Sequence, residues 1–152
     1  MISCRLAPSV DSALTGVLGE REVLNRMQLR LRQASVTTNL PCEIFLIQNA
    51  LPSALLYQTA QSPSLAQIIK HRVGDTLLNG TTIFAQKSPA GTTTVDLTQL
   101  LEIGNSILGG DGIYPAGPDL LTVAVQPQST TGVTFANPLL VSGNLAWSES
   151  QA

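Results

Sequence analysis

Along residues 25–33, NRMQLRLRQ, apolar and polar side chains alternate: Met27, Leu29 and Leu31 fall on one side, Arg26, Gln28, Arg30 and Arg32 on the other. A period of two belongs to a strand with one buried and one wet face. The surrounding segment 20–36 is the longest strand candidate in the chain, and the polar, proline-containing TTNLP closes it. CEIFLIQ, residues 42–48, follows at hairpin spacing, and its unbroken apolar run predicts burial on both faces. Residues 49–58 hold a turn and a short strand, TTIFAQK at 81–87 is a further strand, and 88–94, SPAGTTT, reads as a loop. LLTVAVQP at 120–127 and PLLVSGNLAW at 138–147 are two clear strands joined by QSTTGVTFAN.

Two stretches suggest the helical period instead. In SPSLAQIIKHR, residues 62–72, Ser64 can cap a short helix, Leu65, Ile68 and Ile69 share one face, and Lys70, His71 and Arg72 suit its carboxyl end. A second short helix is predicted over 98–108, before the glycine- and proline-rich loop 109–119. About six closely spaced strands with one or two short inserted helices make the chain mainly β, an antiparallel β-sandwich of jelly-roll-like form. Residues 1–18, with short apolar stretches and no sustained period, are expected to form an extended N-terminal arm, and 19–152 the β-sandwich domain.

Composition adds an expectation about the surface. Only 12% of the 152 residues are charged and 43% are hydrophobic, with a mean hydropathy of +0.22. Such an exterior resists association poorly, so partner chains are expected to cover much of it. Five of the eight basic residues, Arg5, Arg21, Arg26, Arg30 and Arg32, lie in the first 32 positions, whereas the net charge is -2. That asymmetry points to an electrostatic partner for the N-terminal part, but the total lacks the basic excess of a dedicated nucleic-acid binder. No apolar signal core opens the sequence, and its apolar runs fall short of the ~20 residues of a membrane span. Asn79-Gly80-Thr81 matches a glycosylation sequon, which without secretion carries no modification.

Candidate chemistry is sparse. One histidine, two cysteines and ten scattered carboxylates supply no cluster for catalysis, so a non-enzymatic protein is expected. His71, between Lys70 and Arg72, is expected to stay neutral as a surface or cap residue. Cys42 reads as a small core residue, and Cys4 and Cys42 as reduced thiols. In the loop 109–119, Asp111 and Asp119 are too few for a calcium site, and the glycine spacing matches no nucleotide-binding fingerprint. No metal or cofactor is expected. The arginine strip lacks the supporting cations and aromatics that phosphate binding needs, and Glu20 and Glu22 offset part of its charge. Arg26, Arg30 and Arg32 are therefore either a solvated strand face or a contact for a protein partner, since the guanidinium fork pairs well at protein interfaces.

GEREVLNRMQL (19–29), SPSLAQIIKH (62–71), LEIGNSILGGDGIYPAGPDLLTVAV (101–125) and the ending LAWSESQA (145–152) together carry a resemblance. They resemble virion structural proteins of tailed bacteriophages, especially cyanophages, and within that group small capsid cement or decoration proteins. The resemblance spans most of 19–152, the glycine- and proline-rich block being its most specific part, and leaves out residues 1–18. It implies a β-sandwich, a homotrimer seated on the major capsid protein, and a place on the virion exterior after synthesis in the host cytoplasm. It implies no catalytic residue, no membrane and no specific nucleic acid. A tail or fibre component is the nearest alternative. A host-surface or carbohydrate-binding β-sandwich is the other, weakened by a supply of only three Phe, two Tyr and one Trp.

Overall fold

The computed structural model describes residues 1–6, 27–53, 57–59, 66–71, 75–98, 107–109 and 120–151. Within them the chain is mainly β and every ladder is antiparallel. The strands are β1 (Ile2–Leu6), β2 (Met27–Thr38), β3 (Cys42–Gln48), β4 (Leu51–Pro52), β5 (Gln58–Thr59) and β6 (Ala66–Lys70) in the first half. β7 (Leu77–Leu78), β8 (Thr81–Ser88), β9 (Gly91–Asp96), β10 (Ile107–Gly109), β11 (Leu120–Pro127) and β12 (Val141–Gln151) complete them. Six form one sheet in the order β5-β6-β1-β11-β3-β8. In a second, four-stranded sheet, β2 pairs with β12 along one edge and with β9 and then β10 along the other. β4 and β7 make a small separate pair.

Two clusters of buried residues join the two large sheets, the smaller being Val36 of β2 with Cys42 and Ile44 of β3. Cys4, Leu46, Ala66 and Leu121 from the six-stranded sheet cluster with Leu29, Leu31, Ala34, Val95 and Leu97 from the four-stranded sheet and the bend after β9. The burial pattern of β2 shows how its sequence achieves this. Leu29 and Leu31 are buried, Arg32 and Gln33 are both exposed, and Ala34, Val36 and Thr38 are buried again. The period therefore slips by one residue. Its cause is a β-bulge: Ala146 and Trp147 of β12 stand opposite Gln33 and Leu31, leaving Arg32 without an opposite residue. The slip keeps an odd-numbered and an even-numbered apolar set on the same inner face. It falls where the neighbour on the other edge changes from β9, which ends at Gln33, to β10, which pairs with Gln28 to Arg30.

Three connections cross between the sheets at one end. Asn39–Pro41 links β2 to β3, Pro89–Ala90 links β8 to β9, and residues 128–140 link β11 to β12. Gln128 ties them together: its amide donates to the carbonyls of Cys42 (2.8 Å) and Ser88 (3.1 Å), and its backbone N–H donates to Pro41 (3.1 Å). Gly91, at φ 119°, makes the entry into β9 in a conformation that side-chain-bearing residues rarely adopt. Asn49 and Asn79 take the left-handed conformation, at φ 54° and 53°, as asparagine tolerates better than most residues. Asn49 also closes its turn on β11, donating its N–H to the Leu120 carbonyl at 2.7 Å and accepting the Leu120 N–H at 2.9 Å.

Several expectations are corrected. The segment read as a helix over 62–72 is strand from Ala66 to Lys70, seated between β1 and β5, while 62–65 and 72 lie outside the described residues. Its apolar spacing fits either period, and the β-branched pair Ile68-Ile69 favours a pleated ladder with neighbours on both sides. Of the helix expected over 98–108, residues 99–106 lie outside the described residues, and Ile107 opens β10. The loop expected over 88–94 is strand from Gly91, where consecutive threonines pair with β2. The start of the expected arm is also sheet: Ile2–Leu6 lies between β6 and β11, with the Cys4 side chain in the core. Residues 7–18 and the loop 110–119 lie outside the described residues.

CEIFLIQ behaves nearly as its composition dictates. Cys42, Ile44 and Leu46 are buried on the inner face, while Glu43, Phe45 and Ile47 are half-buried on the other. Excising Ile2–Leu6 would part β6 from β11 and open the core at Cys4. The excised chain is expected to lose its cooperative thermal transition by circular dichroism; an unchanged melt would show that β1 contributes nothing to the fold.

Candidate interaction surface

The outer face of the four-stranded sheet is polar, and its charge is mainly positive. Arg30 and Arg32 project from it, exposed, and neither makes an ion pair with another described residue. Gln33, Thr37, Thr92 and Thr94 extend this face, and the Thr37 and Thr92 hydroxyls are hydrogen-bonded at 2.8 Å. Arg26 lies outside the described residues, so two members of the predicted arginine strip share a face and the third is not placed. The alternation that exposes Arg30 is legible in the sequence. The bulge that exposes Arg32 and Gln33 together is signalled only by the shift from odd-numbered leucines to Ala34 and Val36.

At the end where the chain crosses between sheets, a second feature stands out. Thr134 and Asn137 exchange main-chain hydrogen bonds, both at 3.1 Å, closing a tight turn with Phe135 and Ala136 at its tip. The Asn137 side chain donates to the Gly132 carbonyl at 3.1 Å, and Asn39 grips the base by donating to Pro138 (3.0 Å) and accepting the Leu140 N–H (2.8 Å). The turn is thus held while its apolar tip is not: Phe135 is 107% exposed, Leu140 62% and Val141 48%. Leu51 and Leu78, cross-strand partners in the β4–β7 pair, are each 60% exposed. Sequence reading missed these positions because hydrophobicity alone marks a residue as core.

Between the two sheets lies a cleft of about 410 Å3. Val36, Ile68, Val123, Val125, Leu145 and Trp147 supply apolar wall, Lys70 and His71 stand at the end of β6, and among the described residues no carboxylate lines it. Five consecutive residues of β12, Val141 to Leu145, border the cleft, so it meets main chain as well as alternate side chains. Gly143 lets β12 approach β2 closely there, for a Cβ would come within 2.9 Å of the Ser35 carbonyl oxygen. Trp147 is fixed in the wall by its indole N–H, which donates to the Glu149 carboxylate at 2.9 Å.

His71 is neither a helix cap nor a surface residue. Its backbone N–H donates to the Met1 carbonyl at 3.0 Å, its side chain is shielded from solvent, and Nδ1 lies 3.6 Å from the Asp75 carboxylate. Its pKa is lowered from the ordinary 6.5, first by burial and then by the positive amino terminus, with Asp75 opposing. The neutral form anticipated from the sequence is thus favoured, with burial rather than Lys70 and Arg72 as the main cause. The two thiols are buried and unlinked. Burial, with the nearby Glu149 charge, pushes the Cys4 pKa up to about 12, which removes it as a nucleophile at neutral pH. The Asp96 pKa is lowered by the Thr98 hydroxyl and N–H, which donate to its carboxylate at 2.5 and 2.9 Å as β9 ends.

Among the described residues no three His, Cys, Asp or Glu side chains gather as a metal site, and no helix is long and apolar enough to cross a membrane. Asp111 and Asp119 lie outside the described residues. No known protein family, curated protein or solved structure matches the chain.

The lowered His71 pKa has a defined sign. As pH falls through about 6.5 the unfolded chain takes up the proton first, so this part of the stability is present at neutral pH and is lost on acidification. Between pH 7.5 and 5.5 the melting temperature of the wild type should therefore fall further than that of His71→Gln. Equal falls would mean that His71 titrates alike in both states.

Proposed function

We propose that the protein is a non-enzymatic virion structural protein that decorates and cements a phage capsid shell, with further copies of itself, as a homotrimer, and the major capsid protein as its partners. The observation that carries this reading is the rigid apolar turn: Phe135 is held outward by hydrogen bonds on both sides of the tip, with Leu140 and Val141 beside it. Fixed, exposed aromatic side chains are the anchors of protein interfaces, where they fill a partner's pocket at little entropic cost. The scarcity of charge, 12% of residues, fits a protein whose faces are buried in an assembly. The phage-virion resemblance of 19–29, 62–71, 101–125 and 145–152 adds the class of assembly.

On this reading the two core-sharing sheets form a jelly-roll-like sandwich and three copies close a ring. A three-fold ring needs two different patches that meet head to tail, and the apolar turn and the arginine face are two such patches. Arg30 and Arg32 meet carboxylates or carbonyls of a neighbouring subunit or the shell, while Leu29 and Leu31 on the opposite face hold the strand to the core. The assembled protein sits on the capsid exterior.

A test separates folding from assembly. Replacing Arg30 and Arg32 by glutamine should change stability by less than ~1 kcal/mol each, because both are exposed. Replacing Phe135 by serine should leave the melt unchanged. Added back to purified shells that lack the protein, each variant should bind less than wild type by sedimentation, and the arginine variant should also lose more of its binding as salt rises. Full occupancy by both variants at all salt concentrations would contradict the reading, as would a wild-type protein that never associates with shells.

A further inference from the structure

The structure assigns a second docking site, distinct from the Phe135 turn and the arginine face: the outer edge of β12 with the cleft beside it accepts an extended strand from a partner protein, one that alternates apolar side chains and carries a carboxylate among them. Two observations meet here, and neither depends on the capsid reading. The first is the contrast between two sheet edges. β8, at one edge of the six-stranded sheet, is guarded, with exposed Lys87 and a bulge at Ile83, where Leu46 and Ile47 pair with Phe84 and Thr82. Charges and bulges of this kind prevent edge-to-edge pairing. β12 runs for 11 residues, VSGNLAWSESQ, with Glu149 as its single charge and no proline. Among the described residues it pairs only with β2, and the extra residue of that ladder, Arg32, is on β2. An edge so long and so little defended is a template for another strand.

The second observation is what lies next to that edge. The cleft borders residues 141–145 and 147, so a strand laid along β12 would place every other side chain over it. Its walls, from Ile68, Val123, Val125 and Trp147, select apolar side chains. Exposed Lys70 lies in the lining, and among the described lining residues there is no carboxylate, Glu149 and Asp75 being engaged behind Trp147 and His71, so the complementary strand is one with an acidic residue on its inward face. A second copy of β12 fits poorly. Its only carboxylate, Glu149, already accepts the Trp147 indole N–H, and Leu145 and Trp147 face its own cleft.

Trp147 is the one tryptophan in the chain and forms part of the cleft wall, so its emission reports on occupancy. The probe is the blocked peptide Thr-Val-Thr-Val-Thr-Glu-Thr-Val-Thr, with a control carrying lysine in place of glutamate, added to the full-length protein. The glutamate peptide should shift the emission saturably and slow amide exchange at alternate residues of 141–147. It should bind about five-fold tighter than the lysine peptide, and Lys70→Glu, an exposed change, should reverse that preference. No saturable shift and no added protection at millimolar peptide would overturn the proposal, as would an unchanged preference in Lys70→Glu. Protection of 141–147 that grows with protein concentration in the absence of peptide would also overturn it, because a second copy would then cover the edge.

Discussion

The fold depends on the ladder between β2 and β12, and within it on one extra residue. Strand side chains alternate, so a single unpaired position inverts which face every later residue occupies. At Arg32 that inversion is useful: Leu29 and Leu31 before it, and Ala34 and Val36 after it, all reach the buried side. Without the slip one of the two sets would face water. The same displacement leaves Arg32 and Gln33 side by side outside, next to Arg30. The positive face and the continuous inner face of β2 are thus two results of one bulge.

A second constraint sits at the crossing end. Three connections change sheets there, and crossing segments lose ladder hydrogen bonds that something else must replace. Gln128 and Asn39 supply replacements from two side chains, binding carbonyls or N–H groups of Cys42, Ser88, Pro138 and Leu140. This bracing lets a loop hold an aromatic side chain in water without collapsing onto it. Apolar exposure at a braced turn has a different meaning from apolar exposure at a loose one, since the first is ready to dock with little further ordering. The Phe135 turn and the arginine face therefore support an assembly role more strongly than low charge alone.

Much of the sheet structure was legible in the sequence. The strands at 42–48, 81–87 and 120–127 announce themselves by apolar runs between turn residues, and the alternation over 29–32 gives the buried and exposed sides of that part of β2 correctly. Short segments were harder. LAQIIK satisfies the helical and the strand spacing equally, and its neighbours β1 and β5, distant in sequence, decide between them. GTTTVD lacks an apolar run because, apart from Val95, its contribution to the sheet is main chain and hydroxyl. ISCRL is too short to show a period, yet occupies an inner position of the six-stranded sheet. Of the interaction surface, the arginine alternation could be read directly. Phe135, the cleft and the edge of β12 could not, because exposure, enclosure and lack of a ladder partner arise only when the sheets are assembled.

Deleting Arg32 addresses the central claim most directly. Without the extra residue Leu29, Leu31, Ala34 and Val36 alternate without a break and the bulge is no longer needed, whereas deleting Arg30 makes Leu29 and Leu31 adjacent, so that one of them must turn outward. Equilibrium denaturation should find the Arg32 deletion less stable than wild type by no more than about 1.5 kcal/mol, the scale of the one hydrogen bond its carbonyl accepts from Leu97, and the Arg30 deletion less stable by roughly 2–5 kcal/mol, the scale of losing a buried leucine from the core. Arg32→Ala, which keeps the residue count, should stay within ~1 kcal/mol of wild type. An Arg32 deletion as damaging as the Arg30 deletion would contradict the account, for it would mean that Arg32 is not the extra residue that the bulge takes up between the two buried sets of β2.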